Sequence, residues 1–135
     1  MNHTVLLVDD DANVLHGLTR ALRHQPFDIF TARSGEEAID VLKRRRIHVV
    51  VADEQMPGIT GGDLLAWIAE QFPETTRMVL TGHPTAETAI RAINEGLVYR
   101  YFTKPCNPIE LAVAIRRALE DLQTDTLTAS HDSPT

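Results

Sequence analysis

A single cysteine, Cys106, rules out an intramolecular disulfide and a thiolate metal cluster built from this chain alone, so a reducing setting is the simplest fit. Long apolar runs are missing too. No segment reaches the ~20 apolar residues of a membrane helix, and Met1-Asn2-His3-Thr4 lacks a cationic stretch followed by a signal-peptide core. A soluble, cytoplasmic protein without membrane association is expected. Cations are fewer than acids, 13 against 19, for a formal charge of −6. That balance argues against direct nucleic-acid binding, which draws on a surplus of lysine and arginine. The one basic cluster, Lys43 to Arg46, follows a helical pattern and is expected to close a helix C-terminus. What remains is 135 residues, 43% of them apolar, enough for one compact domain and too few for a second.

The apolar residues fall into an alternating rhythm. Thr4 to Val8 is a short continuous run rich in β-branched residues, as in a strand buried on both faces. Val14, Leu15, Leu18, Ala21 and Leu22 then recur at helical spacing behind Asp11, a suitable N-cap. The pattern repeats with a strand over Phe27 to Ala32 and a helix opened by the capping box Ser34-Gly35-Glu36-Glu37. Ile47 to Ala52 reads as the third strand, and Leu64, Leu65, Ile68 and Phe72 as the third helix, ended by Pro73. Arg77 to Thr81 is the fourth strand. Thr85 can cap a fourth helix carrying Ala89, Ile90 and Ile93, with Gly96 beyond its end. Tyr99 to Thr103 is the fifth strand, and Asn107-Pro108-Ile109-Glu110 opens a last helix bearing Leu111, Ile115, Ala118, Leu119 and Leu122. The patterning divides the chain into a domain over 1–122 and a disordered tail or linker over 123–135, which has no apolar period.

Strict alternation implies an α/β fold, a doubly wound parallel sheet with right-handed crossovers and helices on both faces. Its ligand site is expected beyond the C-terminal strand edges. The polar residues closing the strands are Asp9, Asp10, Asp53, Thr81 and Lys104. Three carboxylates and one ammonium leave a surplus of negative charge that a cation must offset. An all-oxygen set suits Mg²⁺. An incoming phosphoryl group would then meet a metal, the Lys104 ammonium and the Thr81 hydroxyl. Asp53, alone at the end of a buried strand and followed by the Pro57-Gly58 turn, is the best candidate nucleophile, with Asp9 and Asp10 better placed as metal holders.

These residues also carry a family resemblance. Val5-Leu6-Leu7-Val8-Asp9-Asp10-Asp11, Asp53-Glu54-Gln55-Met56-Pro57-Gly58, Val79-Leu80-Thr81-Gly82 and Tyr101-Phe102-Thr103-Lys104-Pro105 resemble the signature blocks of response-regulator receiver domains, in the family's order and spacing over residues 4–121. The resemblance implies a flavodoxin-like (βα)5 fold with five parallel strands in the order 2-1-3-4-5. It implies phosphorylation of Asp53 by a sensor histidine kinase or phosphotransfer protein, with no other enzyme activity. Asp10, Asp53 and the backbone carbonyl of Gln55 would ligate Mg²⁺, and Asp9 would act mainly through a water of the metal. Thr81 and Lys104 would engage the phosphoryl oxygens, the Lys104–Pro105 bond would be cis, and Tyr101 would rotate into space vacated by Thr81.

Phosphorylation adds nearly two negative charges, enough to draw the Thr81 hydroxyl inward. The surface of the fourth helix, fifth strand and fifth helix would change and meet an output domain or partner, homodimer formation being left open. Gln55 and His83 should flank the route of water to the acyl phosphate and set its lifetime. Cys106 is expected to be a small loop residue and not a redox sensor. The blocks around Asp53 and Tyr101 are similar to those of receivers attached to HD-GYP phosphodiesterases or AAA+ transcription activators.

Three other functions meet obstacles in the residues. A flavin binder on this architecture needs a phosphate-cradling loop where Asp9, Asp10 and Asp11 stand. A phosphatase working through an aspartyl phosphate needs an acid or base two residues past the nucleophile, and Gln55 is neither. A phosphorylation-independent interaction module would have no use for the complete acid set.

Overall fold

The computed structural model describes residues 2–82, 93–95 and 98–131. The elements are β1 (His3–Val8), α1 (Ala12–Leu22), β2 (Phe27–Ala32), α2 (Gly35–Arg44), β3 (Val49–Asp53), α3 (Gly61–Gln71), β4 (Thr76–Thr81), β5 (Arg100–Thr103) and the C-terminal helix α4 (Pro108–His131). All five strands run parallel in the order β2-β1-β3-β4-β5. The helix expected between β4 and β5, with its cap at Thr85, its apolar residues Ala89 and Ile90 and its stop at Gly96, falls largely outside the described residues.

Successive side chains of a strand point to opposite faces, so each buried strand feeds two cores. Val5 and Leu7 of β1, with Val49 and Val51 of β3, join Leu15 and Leu18 of α1 and Leu111 and Ile115 of α4. Leu6, Val8, Val50 and Ala52 turn the other way and meet Ala38 and Leu42 of α2 and Leu64 and Ile68 of α3. Burying each such leucine or isoleucine contributes about 2 kcal/mol, which is why the β-branched strand runs sit at the centre. Ala21, expected on the apolar face of α1, is exposed.

Helix starts follow from side-chain caps. Asp11 accepts from the Asn13 N–H at 2.9 Å, and Asn107 accepts from Ile109 N–H at 2.9 Å, both at the expected positions. Ser34 accepts from Glu37 N–H at 3.1 Å, but the Glu37 carboxylate takes the N–H of Arg33 instead of that of Ser34. At the far end of α2, Lys43 and Arg44 occupy the last turn, as expected, and the Arg45 guanidinium lies 4.5 Å from the centre of the Phe30 ring.

Two boundaries differ from the patterning. β3 begins at Val49 and not Ile47, because the carbonyls of Arg46 and Ile47 accept from the hydroxyls of Thr4 and Thr75. The last helix does not stop at Leu122: its backbone continues to His131, through a stretch containing neither glycine nor proline, the next proline being Pro134. The absence of a breaker outweighs the loss of apolar period there.

Candidate phosphoacceptor and metal site

Parallel pairing brings every strand's C-terminal end to one edge, and register then decides which residues meet. Val8 pairs with Ala52, so Asp9 and Asp53, one residue further on, stand level on adjacent strands. Thr81 pairs with Thr103, which places Lys104 just past the same edge, its N–H donating to the Thr81 carbonyl at 2.8 Å. Asp9, Asp10 and Asp53 each offer a carboxylate oxygen within 4.8 Å of the others. The Lys104–Pro105 peptide is cis, as the family resemblance implies.

The three acids are not equivalent. Asp9 is 1% exposed and Asp53 6%, whereas Asp10 is exposed. Both oxygens of Asp9 have protein partners: Oδ1 accepts from Asp11 N–H at 2.9 Å, and Oδ2 accepts from Lys104 Nζ at 2.9 Å. Lys104 Nζ also lies 3.2 Å from Asp53 Oδ2, while Asp53 Oδ1 accepts from Gln55 N–H at 3.3 Å. One ammonium therefore spans two buried carboxylates, and Asp10 stands open beside them. A donor set made only of oxygens, carrying more negative than positive charge, fits a hard divalent cation such as Mg²⁺.

The electrostatics follow from burial and proximity. Removal from water, then the Asp9 carboxylate, raises the pKa of Asp53, against the opposing pull of Gln55 N–H and Lys104. Burial would lower the pKa of Lys104, but its hydrogen bonds and charge contacts with Asp9 and Asp53 prevail and raise it. Asp53 carries a consequence for stability. With its folded pKa above its unfolded value of about 3.9, its stabilising proton is fully present below the unfolded pKa and is lost as pH rises through the folded one. In EDTA, Asp53→Asn should therefore gain on the wild type as pH climbs past the folded pKa, with an unfolding midpoint on the order of 5 °C higher at neutral pH. Equal midpoints at neutral pH would contradict this.

Thr81 is 1% exposed at the end of β4. Tyr101 is half-buried and packs against the α2 and α3 face, its hydroxyl held above its ordinary pKa by burial and by the nearby Glu54 carboxylate. The Gln55 side chain is exposed, and His83 lies outside the described residues. Cys106 is half-buried, and burial together with the Glu110 carboxylate raises its thiol pKa, a poor environment for a reactive thiolate.

Patterning missed two parts of the site. Thr60 caps α3 by accepting from Asp63 N–H at 3.1 Å. Gly61, the first residue of that helix, passes so close to the acceptor that a Cβ there would stand 2.1 Å from the Asp53 carbonyl oxygen. The first could have been found from Thr60 three residues before Asp63; the second has no local signal.

A parallel sheet in the order β2-β1-β3-β4-β5 with acids gathered at its C-terminal edge is the architecture of a signalling receiver domain. The family model of the response regulator receiver domain matches residues 5–116, and the chain belongs to that family. Its relatives include the hydrogenase transcriptional regulatory protein HoxA of Cupriavidus necator, 37% identical over 87% of this chain and 24% of that protein. The nitrogen assimilation regulatory protein NtrX of Azorhizobium caulinodans is 32% identical over 91% of this chain and 27% of that protein. The chain thus spans about a quarter of the length of these curated relatives. Among solved structures, the signal receiver domain of an HD domain-containing protein from Pseudomonas fluorescens Pf-5 superposes with a TM-score of 0.85 at 37% identity, covering 92% of this chain and 99% of that one. Among the described residues no helix is long and apolar enough to cross a membrane.

Proposed function

We propose that Asp53 accepts a phosphoryl group from the phosphohistidine of a sensor histidine kinase or phosphotransfer protein. The observation that carries this reading is the Lys104 ammonium bridging the buried Asp9 and Asp53 carboxylates beside an open Asp10. An Asp53 oxygen attacks phosphorus, so that an O–P bond forms as the N–P bond to the departing imidazole breaks. Lys104 and the Thr81 hydroxyl stabilise charge on the equatorial oxygens. Mg²⁺, held by Asp10, Asp53 and the Gln55 carbonyl, with Asp9 acting through a water, would supply the positive charge that lets an anion approach three acids. Asp9, hydrogen-bonded to both Asp11 N–H and Lys104, keeps the ammonium in place.

The new charge draws Thr81 inward and lets Tyr101 turn into the space it leaves, altering the face formed by β5, α4 and the segment between β4 and β5. In this reading residues 1–122 are the receiver unit, cytoplasmic and without direct contact to nucleic acid, and 123–135 link or trail it. The altered face controls an output domain or partner, directly or as a homodimer. The relatives' names favour transcriptional regulation or an HD-domain output. Any turnover is confined to accepting the phosphoryl group and losing it to water.

The central test is intact mass after incubation with Mg²⁺ and a small-molecule phosphodonor. Wild type should gain one phosphate and Asp53→Asn none; phosphate on the mutant would assign the acceptor elsewhere. Gln55 and His83 are proposed to govern the lifetime of the acyl phosphate. Gln55→Ala and His83→Ala should each change its half-life by about threefold, a small part of the 10²–10⁴ a positioned acid or base can supply. Unchanged half-lives would remove both residues from that role.

A further inference from the structure

The loop between β3 and α3 carries the proposed Gln55 ligand, and it leans on an element that contributes nothing to the acid pocket. Ile59 packs against the first residue of α2 so closely that a Cβ on Gly35 would stand 2.6 Å from the Ile59 Cβ and 2.8 Å from its Cγ2. One residue earlier, Gly58 takes a φ of 79°, open to glycine and strained for other residues, and a Cβ there would stand 3.3 Å from Glu36 Oε1. The loop is also fastened at its base, where Gln55 N–H donates to Asp53 Oδ1 at 3.3 Å and Gly61 N–H donates to the Glu54 carbonyl at 3.1 Å. These bonds tie the loop to the Asp53 end of β3 without bonding the Gln55 carbonyl itself to the protein frame through them. Between these bonds, Ile59 rests on the start of α2.

We propose that Gly35 is a positioning residue for metal and phosphoryl binding: its bare Cα is the seat for Ile59, and through that seat the start of α2 sets where the Gln55 carbonyl stands. This rests on the reading of Asp53 as phosphoacceptor with Mg²⁺ beside it. A methyl group at position 35 falls about 1 Å short of ordinary van der Waals contact. Neither neighbour is free to absorb the shortfall. Gly35 is buried at the root of a capped helix, and the contact on Ile59 is at its Cβ, where no rotamer can move it away. The loop must move instead, and a displacement of that size at a ligand costs affinity.

The test is an Mg²⁺ titration of the full chain without phosphodonor, followed by the amide resonances of Asp10 and Gln55. The four proteins are wild type, Gly35→Ala, Ile59→Gly and the double variant. Gly35→Ala should weaken Mg²⁺ binding about tenfold. The same substitution should have little further effect in the Ile59→Gly background, where both side-chain clashes are gone and only a 3.3 Å approach to the residue 59 carbonyl oxygen remains. A merely structural strain would lower the unfolding midpoint of Gly35→Ala and leave its Mg²⁺ affinity at 25 °C unchanged; that result overturns the proposal, as does an equal loss in both backgrounds. Should Gly35→Ala not fold, Ile59→Gly alone, which empties the seat, is expected to weaken binding about threefold, and wild-type affinity there overturns the proposal. Failure of the wild type to bind Mg²⁺ or accept phosphate would instead strike the underlying reading.

Discussion

Lys104→Met should unbalance the pocket and cost both stability and phosphotransfer. Methionine preserves most of the aliphatic stem but removes the ammonium that contacts Asp9 Oδ2 at 2.9 Å and Asp53 Oδ2 at 3.2 Å. Two buried carboxylates on adjacent strands are then left facing each other. Removing one partner of a fully buried ion pair costs about 3–5 kcal/mol. Lys104 is 28% exposed, so water offsets part of its loss and about 2 kcal/mol is expected, in EDTA at neutral pH. The deficit should shrink as pH falls into the carboxylate range, because protonating either acid relieves the repulsion. It should also shrink when Asp53→Asn is added, since one of the two charges is gone. Phosphorylation of Lys104→Met by a small donor should fall by about 10²- to 10³-fold, the cost of removing one preorganised charge from a phosphoryl site. Urea unfolding in EDTA and rates by intact mass read both effects. A variant as stable as wild type without metal would mean that the ammonium contributes nothing to the balance of this pocket.

Much of this site was readable because strand ends are conspicuous. Asp9, Asp10, Asp53, Thr81 and Lys104 close or follow short strand runs of mostly apolar residues, and a parallel sheet must gather such residues at one edge. The division of labour between Asp9 and Asp10 was less accessible. They are neighbours of identical chemistry, and only the register with β3 and the reach of Lys104 across the edge make one buried and doubly bonded and the other open. Cationic Lys43 and Arg44 at the end of α2 were predictable from helix electrostatics, whereas the stacking of Arg45 on Phe30 depends on which strand α2 crosses. The extension of α4 to His131 was missed because apolar periodicity records packing, not backbone conformation.

Close backbone approach is the feature least visible in a linear chain, and it underlies a prediction about Gly61. Gly61 and Gly62 are adjacent, both in the first turn of α3, and identical in chemistry. A Cβ on Gly62 would meet only Thr60 Oγ1, at 3.9 Å, an ordinary contact. A Cβ on Gly61 would stand 2.1 Å from the Asp53 carbonyl oxygen and 2.7 Å from the Glu54 Cα, both backbone atoms that cannot rotate away. Gly62→Ala should therefore raise stability by up to about 1 kcal/mol through helix propensity. Gly61→Ala should lower it by about 3 kcal/mol, since relief requires pushing α3 off the end of β3 against the buried Leu64 and Ile68. Because the displaced strand end carries the acceptor, Gly61→Ala should also slow phosphorylation of Asp53 at least tenfold at temperatures where it remains folded. Denaturant unfolding and phosphorylation rates on the pair provide the comparison. If the two alanine variants behaved alike, the close passage of α3 over the acceptor would have no part in holding Asp53 in place.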